Sequence, residues 1–164
     1  MSNPVLSQKL SQAACELVRR RHVREAGGPE PFPADDSSPY LGPVLVFPAM
    51  LHFNGAALAL ELLRRKESTD GWQRAVPAYM GDLAALLQRM GDRSSFEDWL
   101  GRLRKGDFAD GGDLQSLAAG EVLEQYLLLH HRLAMAAAWL KHYAGLFCPK
   151  KETRAAAPAR SAPR

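Results

Sequence analysis

Apolar residues recur along this chain at spacings of three and four, with no convincing strand-like alternation, so the pattern predicts helices throughout. The first stripe, Leu6, Leu10, Ala13/Ala14 and Leu17, predicts a helix over 5–25, capped by Ser2 or Asn3 with Pro4 in its first turn. Five prolines and three glycines between Gly27 and Pro43 stop it and predict an exposed loop. That loop is not a domain boundary, because the single helix before it cannot bury its own stripe. A second helix is expected from Val44 or Phe47 to Lys66, with Pro48 in its first turn and Leu51, Gly55, Leu58 and Leu62 as its stripe. Its last turn, Arg64-Arg65-Lys66, suits the negative end of the helix dipole. A third begins near Trp72 or Pro77 and ends at Met90-Gly91, with Tyr79, Leu83, Leu86/Leu87 and Met90 inward.

A short fourth helix is predicted over 94–105, capped by Ser94 or Ser95, with Phe96, Leu100 and Leu103 facing in and a turn at 108–112. The last, over 114–147, is the longest. Val122, Tyr126, Leu129, Leu133, Ala136, Leu140, Tyr143 and Phe147 alternate spacings of four and three, a seam for packing along another helix. Leu123, Leu127 and Leu128 widen that stripe, which places this helix at the centre. Pro149 ends it, and the Ala/Pro/Arg-rich stretch beyond has almost nothing to bury. The expected fold class is all-α: a compact helical bundle of about five helices in a single domain over 1–148, followed by a disordered basic tail over 149–164.

Composition narrows the picture. With 164 residues, 46% hydrophobic and 24% charged, the chain can build one core and is not disordered wholesale. Charges are expected to interrupt every apolar run short of the about 18–20 residues of a membrane span, and no export signal is visible at the N-terminus. Cys15 and Cys148 have no metal or redox spacing and read as buried or idle thiols, so a cytoplasmic location and no membrane partner are expected. The net charge of +3 is carried by the end of the chain: residues 149–164 hold five basic residues against Glu152, leaving residues 1–148 at −1. An argument for polyanion binding therefore rests on where charges sit, not on their total.

No pattern for catalysis emerges. His130 and His131 point about 100° apart on a helix, and His131 and His142 share a face some 16 Å apart, too far for one ion. No HExxH, GxSxG elbow, phosphate loop or GxGxxG after a strand is present. Asp107, Asp110 and Asp113 lack the acidic twelfth residue of a calcium loop, which here is Ala118. The chain is expected to be noncatalytic, with no metal and no cofactor. Basic side chains are the remaining signal. Lys9, Arg20 and Arg24 share a helical face, Arg64, Arg65 and Lys66 close the second helix, and Arg132 and Lys141 interrupt the last. Such ridges can follow a phosphate backbone without reading bases, although basic helix ends also arise simply as solvated complements of the dipole.

Two segments add a resemblance. Leu45–Leu63, with Phe47-Pro48, the pair Asn54-Gly55 and a small-apolar run after it, resembles the signature helix of the small helical subunit of the Cmr complex, the type III-B CRISPR RNA-guided effector. Tyr126, followed by Ala134–Ala144 with its Trp139-Leu140-Lys141 and Tyr143-Ala144, is similar to that family's C-terminal helix. Gln8–Val18 is similar to its opening helix. Ala56 departs from the Leu expected after Asn-Gly, the loop over 27–42 is longer than usual, and the Arg-rich tail is an addition. The resemblance implies a noncatalytic protein of antiviral defence that stacks in several copies beside other Cmr subunits. It would make sequence-independent contacts to the guide–target RNA duplex, while other subunits cut RNA. Lys9, Arg20, Arg24, Arg64, Arg65, Lys66, Arg132 and Lys141 are then the RNA-binding candidates, of which only Lys141 lies in a matched segment. Asn54, Gly55, Tyr126 and Trp139 are motif residues with a structural role: Gly55 for close helix approach, Asn54 for a buried hydrogen bond, Trp139 for core or subunit contact. The alternatives are an unrelated helical adaptor that dimerises through its last helix, and an enzyme using His131, Arg132 or His142.

Overall fold

The computed structural model describes residues 4–69, 71–91 and 119–150. The helix expected over 94–105, the turn over 108–112, the start of the last helix at 114–118 and the tail from 151 lie outside them. Among the described residues the chain is all-helical: α1 (Pro4–His22), α2 (Leu41–Lys66), α3 (Ala75–Arg89) and α4 (Ala119–Phe147). Pro4 opens α1, where its missing N–H costs nothing. α4 packs on all three other helices, as its seam predicts, with Leu129, Leu133, Ala136 and Leu140 buried.

α2 departs most from expectation. It starts at Leu41, so Pro48 lies inside it, where the amide that would bond the Val44 carbonyl is missing. At Gly55 the backbone leaves helical geometry altogether (φ 73°, ψ 171°), in a region open essentially to glycine. The chain folds back there. Trp72 packs against Gly42 at one end of α2, while the Lys66 ammonium at the other lies 5.2 Å from the centre of the same indole. A straight helix of 26 residues would hold its ends about 39 Å apart.

The break also shifts the buried stripe. Val44, Phe47 and Leu51 point inward before it, and Ala56, Ala59, Leu60 and Leu63 after it. An unbroken helix would have buried Leu58, which is instead 50% exposed. The same break bears on membrane crossing. Contrary to expectation, no charged residue occurs between Asp36 and Glu61, and α2 is long and apolar enough by length and composition to span a bilayer. Its two arms, 41–54 and 56–66, are each too short to do so alone.

Smaller corrections concern the loop and the helix ends. α1 stops at His22, three residues early, and α3 begins at Ala75. The Pro/Gly-rich segment is exposed for most of its length but pinned by Phe32, Ser38 and Tyr40, which are buried. The Phe32 amide donates to the Arg21 carbonyl at 2.7 Å, and the rings of Tyr40, Tyr79 and Phe47 meet edge to face in a line through the core. Leu127 and Leu128 do not widen the α4 stripe: they are 55% and 46% exposed.

One polar cluster lies inside. Asp82, buried on α3, accepts a two-pronged bond from Arg21 (Nε 3.0 Å, Nη2 2.7 Å) and a 2.6 Å bond from the Tyr40 hydroxyl. Arg21 Nη2 also donates to the Ala78 carbonyl. α1, α3 and the start of α2 are thus tied at a single carboxylate. Burial pushes that carboxyl up, against the pull of Arg21 and Tyr40. Burial likewise raises the Tyr40 and Tyr79 hydroxyls, so both stay protonated.

Candidate nucleic-acid interface

The end of α1, the start of α3 and both ends of α2 meet at one end of the bundle, held there by the Arg21–Asp82 pair and by Trp72. This brings several cations into one neighbourhood. Arg20 and Arg74 line a shared pocket of about 370 Å³ floored by Phe32, with Glu30 at its edge. The Arg74 guanidinium lies over the Phe32 ring at 5.0 Å and donates to the Glu30 carbonyl. Arg65 is exposed nearby, while Lys66 is held over Trp72. Arg74 was not singled out from sequence; its signal was an isolated cation just before the Ala/Val/Pro start of a helix.

Acidic neighbours reduce the reach of this group. Glu16 accepts from Arg19 and Arg20 together, which holds its carboxyl down at about 2, and Glu25 lies 3.9 Å from Arg20. Arg20 is therefore a shared charge that a phosphate must compete for. Arg24 is exposed but lies beyond α1, so it does not share a helical face with Lys9 and Arg20 as the spacing implied. Arg64 is half-buried and engaged in an interaction.

The other candidates stand apart. Lys9 is exposed beside Arg89 at the far end of α3, with Glu16 on the same groove. Arg132 is half-buried on α4, and Lys141 is exposed on the same helix, at a separate groove facing α2. The eight sequence candidates therefore do not form one ridge. Seven of them divide among the end of the bundle, the Lys9–Arg89 edge and the α2–α4 groove, and Arg132 lies on the side of α4 away from Lys141, outside that groove's lining.

Of the motif residues, Gly55 and Tyr126 meet directly. A methyl group on Gly55 would lie 2.6 Å from the Tyr126 hydroxyl oxygen, so the α2 turn and the first half of α4 touch at a position where only glycine fits. Asn54 is exposed and makes no buried hydrogen bond. Its side-chain amide instead donates to the Met50 carbonyl one turn back at 3.0 Å, within the arm before the break. Trp139 is half-buried and stacked on Tyr143 (6.2 Å, 20°), whose hydroxyl shares a 2.6 Å hydrogen bond with Ser11 of α1. Trp139 is packed against the core.

Of the remaining polar groups, the buried Cys148 thiol sits 3.3 Å from His22 Nε2, and burial pushes it up, away from the reactive thiolate. Among the described residues no three His, Cys, Asp or Glu side chains are grouped to hold a metal ion. No family model matches the chain, and no curated protein or solved structure matches it either.

Proposed function

We propose that this protein is a noncatalytic small subunit of a type III-B CRISPR effector, which assembles beside copies of itself and other Cmr subunits and grips the guide–target RNA duplex without reading its sequence. The observation that carries the reading is the contact between Gly55 and Tyr126. The two segments on which the resemblance rests are some seventy residues apart in the chain, yet they pack as one unit around a glycine that tolerates no side chain. Exposed cations supply the grip. Arg24, Arg65 and Lys141 stand on the surface in loops and helix faces, where contacts to phosphate position a duplex but carry no base information. Phe53, 81% exposed, together with Leu58, Leu127 and Leu128, offers apolar surface for neighbouring subunits.

The direct test is assembly. The chain, expressed with the other effector proteins and a guide, is expected to co-purify with them and with bound RNA; isolation as a free protein while the rest assembles without it would defeat the proposal. A second expectation concerns charge. Reversal at Arg24, Arg65 and Lys141 together is expected to lower duplex affinity by about tenfold or more at low salt and to flatten its salt dependence by roughly three phosphate contacts, with helicity unchanged by circular dichroism. Unchanged affinity with loss on deleting residues 151–164 would move the grip to the tail.

A further inference from the structure

We infer that the groove between α2 and α4 is a seat for an RNA sugar–phosphate strand. The inference rests on the proposed RNA-binding role and specifies one place where that contact is made.

The groove has a volume of about 340 Å³. On α4 its wall is His130, Ala134, Ala138 and Lys141, spaced four, four and three residues apart and therefore on a single helical stripe. The stripe runs about 16 Å along the helix axis, which suits a stretch of polymer backbone better than a single ion. On α2 the wall is Pro48, Leu51 and His52, from the arm before the Gly55 break. The sequence thus places nitrogen-bearing side chains at the two ends of the α4 stripe and methyl groups between them.

Three features favour a phosphodiester strand. First, among the described residues no carboxylate lines the groove, whereas the Arg20–Arg74 pocket has Glu30 and the Lys9–Arg89 groove has Glu16. Lys141 therefore presents its charge without an acidic competitor in the lining. Second, each imidazole carries an N–H donor and, when neutral, an acceptor, so His52 and His130 can meet phosphate oxygens and ribose 2′-hydroxyls alike. Third, Ala134 and Ala138 leave the helix backbone approachable, so a ribose can lie against their methyls with its phosphates turned toward the rim. None of these contacts distinguishes one base from another. His131 and His142 are exposed on the adjoining stripe and extend the same nitrogen-rich surface.

The experiment uses the full chain and a fluorescein-labelled guide–target RNA duplex, titrated by anisotropy over a range of salt. Ala134→Glu fills the groove and places a carboxylate in it; Lys141→Gln removes the charge at one end. Both positions are exposed, and circular dichroism and thermal melting serve as the check on folding. Ala134→Glu is expected to weaken binding about tenfold, and Lys141→Gln to reduce the slope of log K against log salt by about one. Arg65→Gln, outside the groove, is the comparison and is expected to leave the Ala134→Glu effect undiminished. If Ala134→Glu and Lys141→Gln bind as the unaltered chain does while Arg65→Gln loses affinity, the groove assignment is wrong and RNA binding stands. If they spare RNA binding but abolish co-purification with other effector subunits, the groove is a protein interface and the assignment is again wrong. Absence of RNA binding by the unaltered chain overturns both the groove and the role it rests on.

Discussion

Replacing Arg21 with Met is expected to destabilise the fold by about 3–5 kcal/mol, toward the low end because the Tyr40 hydroxyl still donates to Asp82. For a chain of this size that is a fall in melting temperature of about 10 °C. The reason is desolvation. Asp82 is 1% exposed, and without the two guanidinium hydrogen bonds its charge is left nearly uncompensated inside the bundle. The same variant carries a pH signature. Burial already holds the Asp82 carboxyl above the usual carboxylate range. A group raised in the folded state stabilises fully below its unfolded value, about 3.9, and that contribution is lost as pH rises through the folded value. Removing Arg21 takes away a pull toward ionisation, so the folded value rises further and the loss extends to higher pH. The stability gap between the two proteins, measured by urea unfolding, is therefore expected to be wide near about pH 7 and narrower near about pH 5. Asp82→Asn in the same background is expected to remove the pH dependence of the gap. A gap equal at both values would mean that Asp82 is not the group left stranded.

Gly55→Ala carries the second large effect, through geometry and not charge. A φ of +73° with ψ near 171° belongs to a region that costs an L-residue about 1–3 kcal/mol, and the added methyl would meet the Tyr126 hydroxyl at 2.6 Å. The expected result is a loss of about 2–4 kcal/mol, since the clash adds to the strain unless Tyr126 moves. Tyr126 is itself engaged in an interaction, so Tyr126→Phe alone is the reference for the double variant, in which the part due to the clash is expected to vanish and the backbone part to remain. Thermal melts of the four proteins separate the two terms. If Gly55→Ala melts like the parent, α2 does not turn back where the structure places the turn.

These two sites also show what the sequence revealed and what it hid. The inward stripes of α1, α3 and α4 were legible because Leu10, Ala13, Ala14, Leu83, Leu86, Leu129 and Leu133 recur at helical spacing in helices that run unbroken. α2 is harder to read, because its apolar residues are dense enough to suggest a stripe in any phase. Asn54-Gly55 offered a turn signal, but an apolar helix around it masked the consequence, so Leu58 was placed inside. Arg21 sits within a run of three arginines that reads as a solvated helix end. Its register told otherwise: Leu10, Ala14, Val18 and Arg21 form one stripe, and on α3 Asp82 falls between the inward Tyr79 and Leu86. Opposite charges on two inward stripes were the sign of a buried pair. The interface was less legible than the fold. A charge count along the chain does not reveal that Glu16 and Glu25 engage Arg20, nor that Lys141 faces a groove with no carboxylate among its described lining residues.

The central claim, a sequence-blind hold on the RNA backbone, is tested most directly by the affinity of the purified full chain for two guide–target duplexes of unrelated sequence, each measured across a salt series. Equal affinities for the two duplexes, falling together as salt rises with a slope of several phosphate contacts, are the predicted result. Marked preference for one duplex, or affinity indifferent to salt, would contradict it.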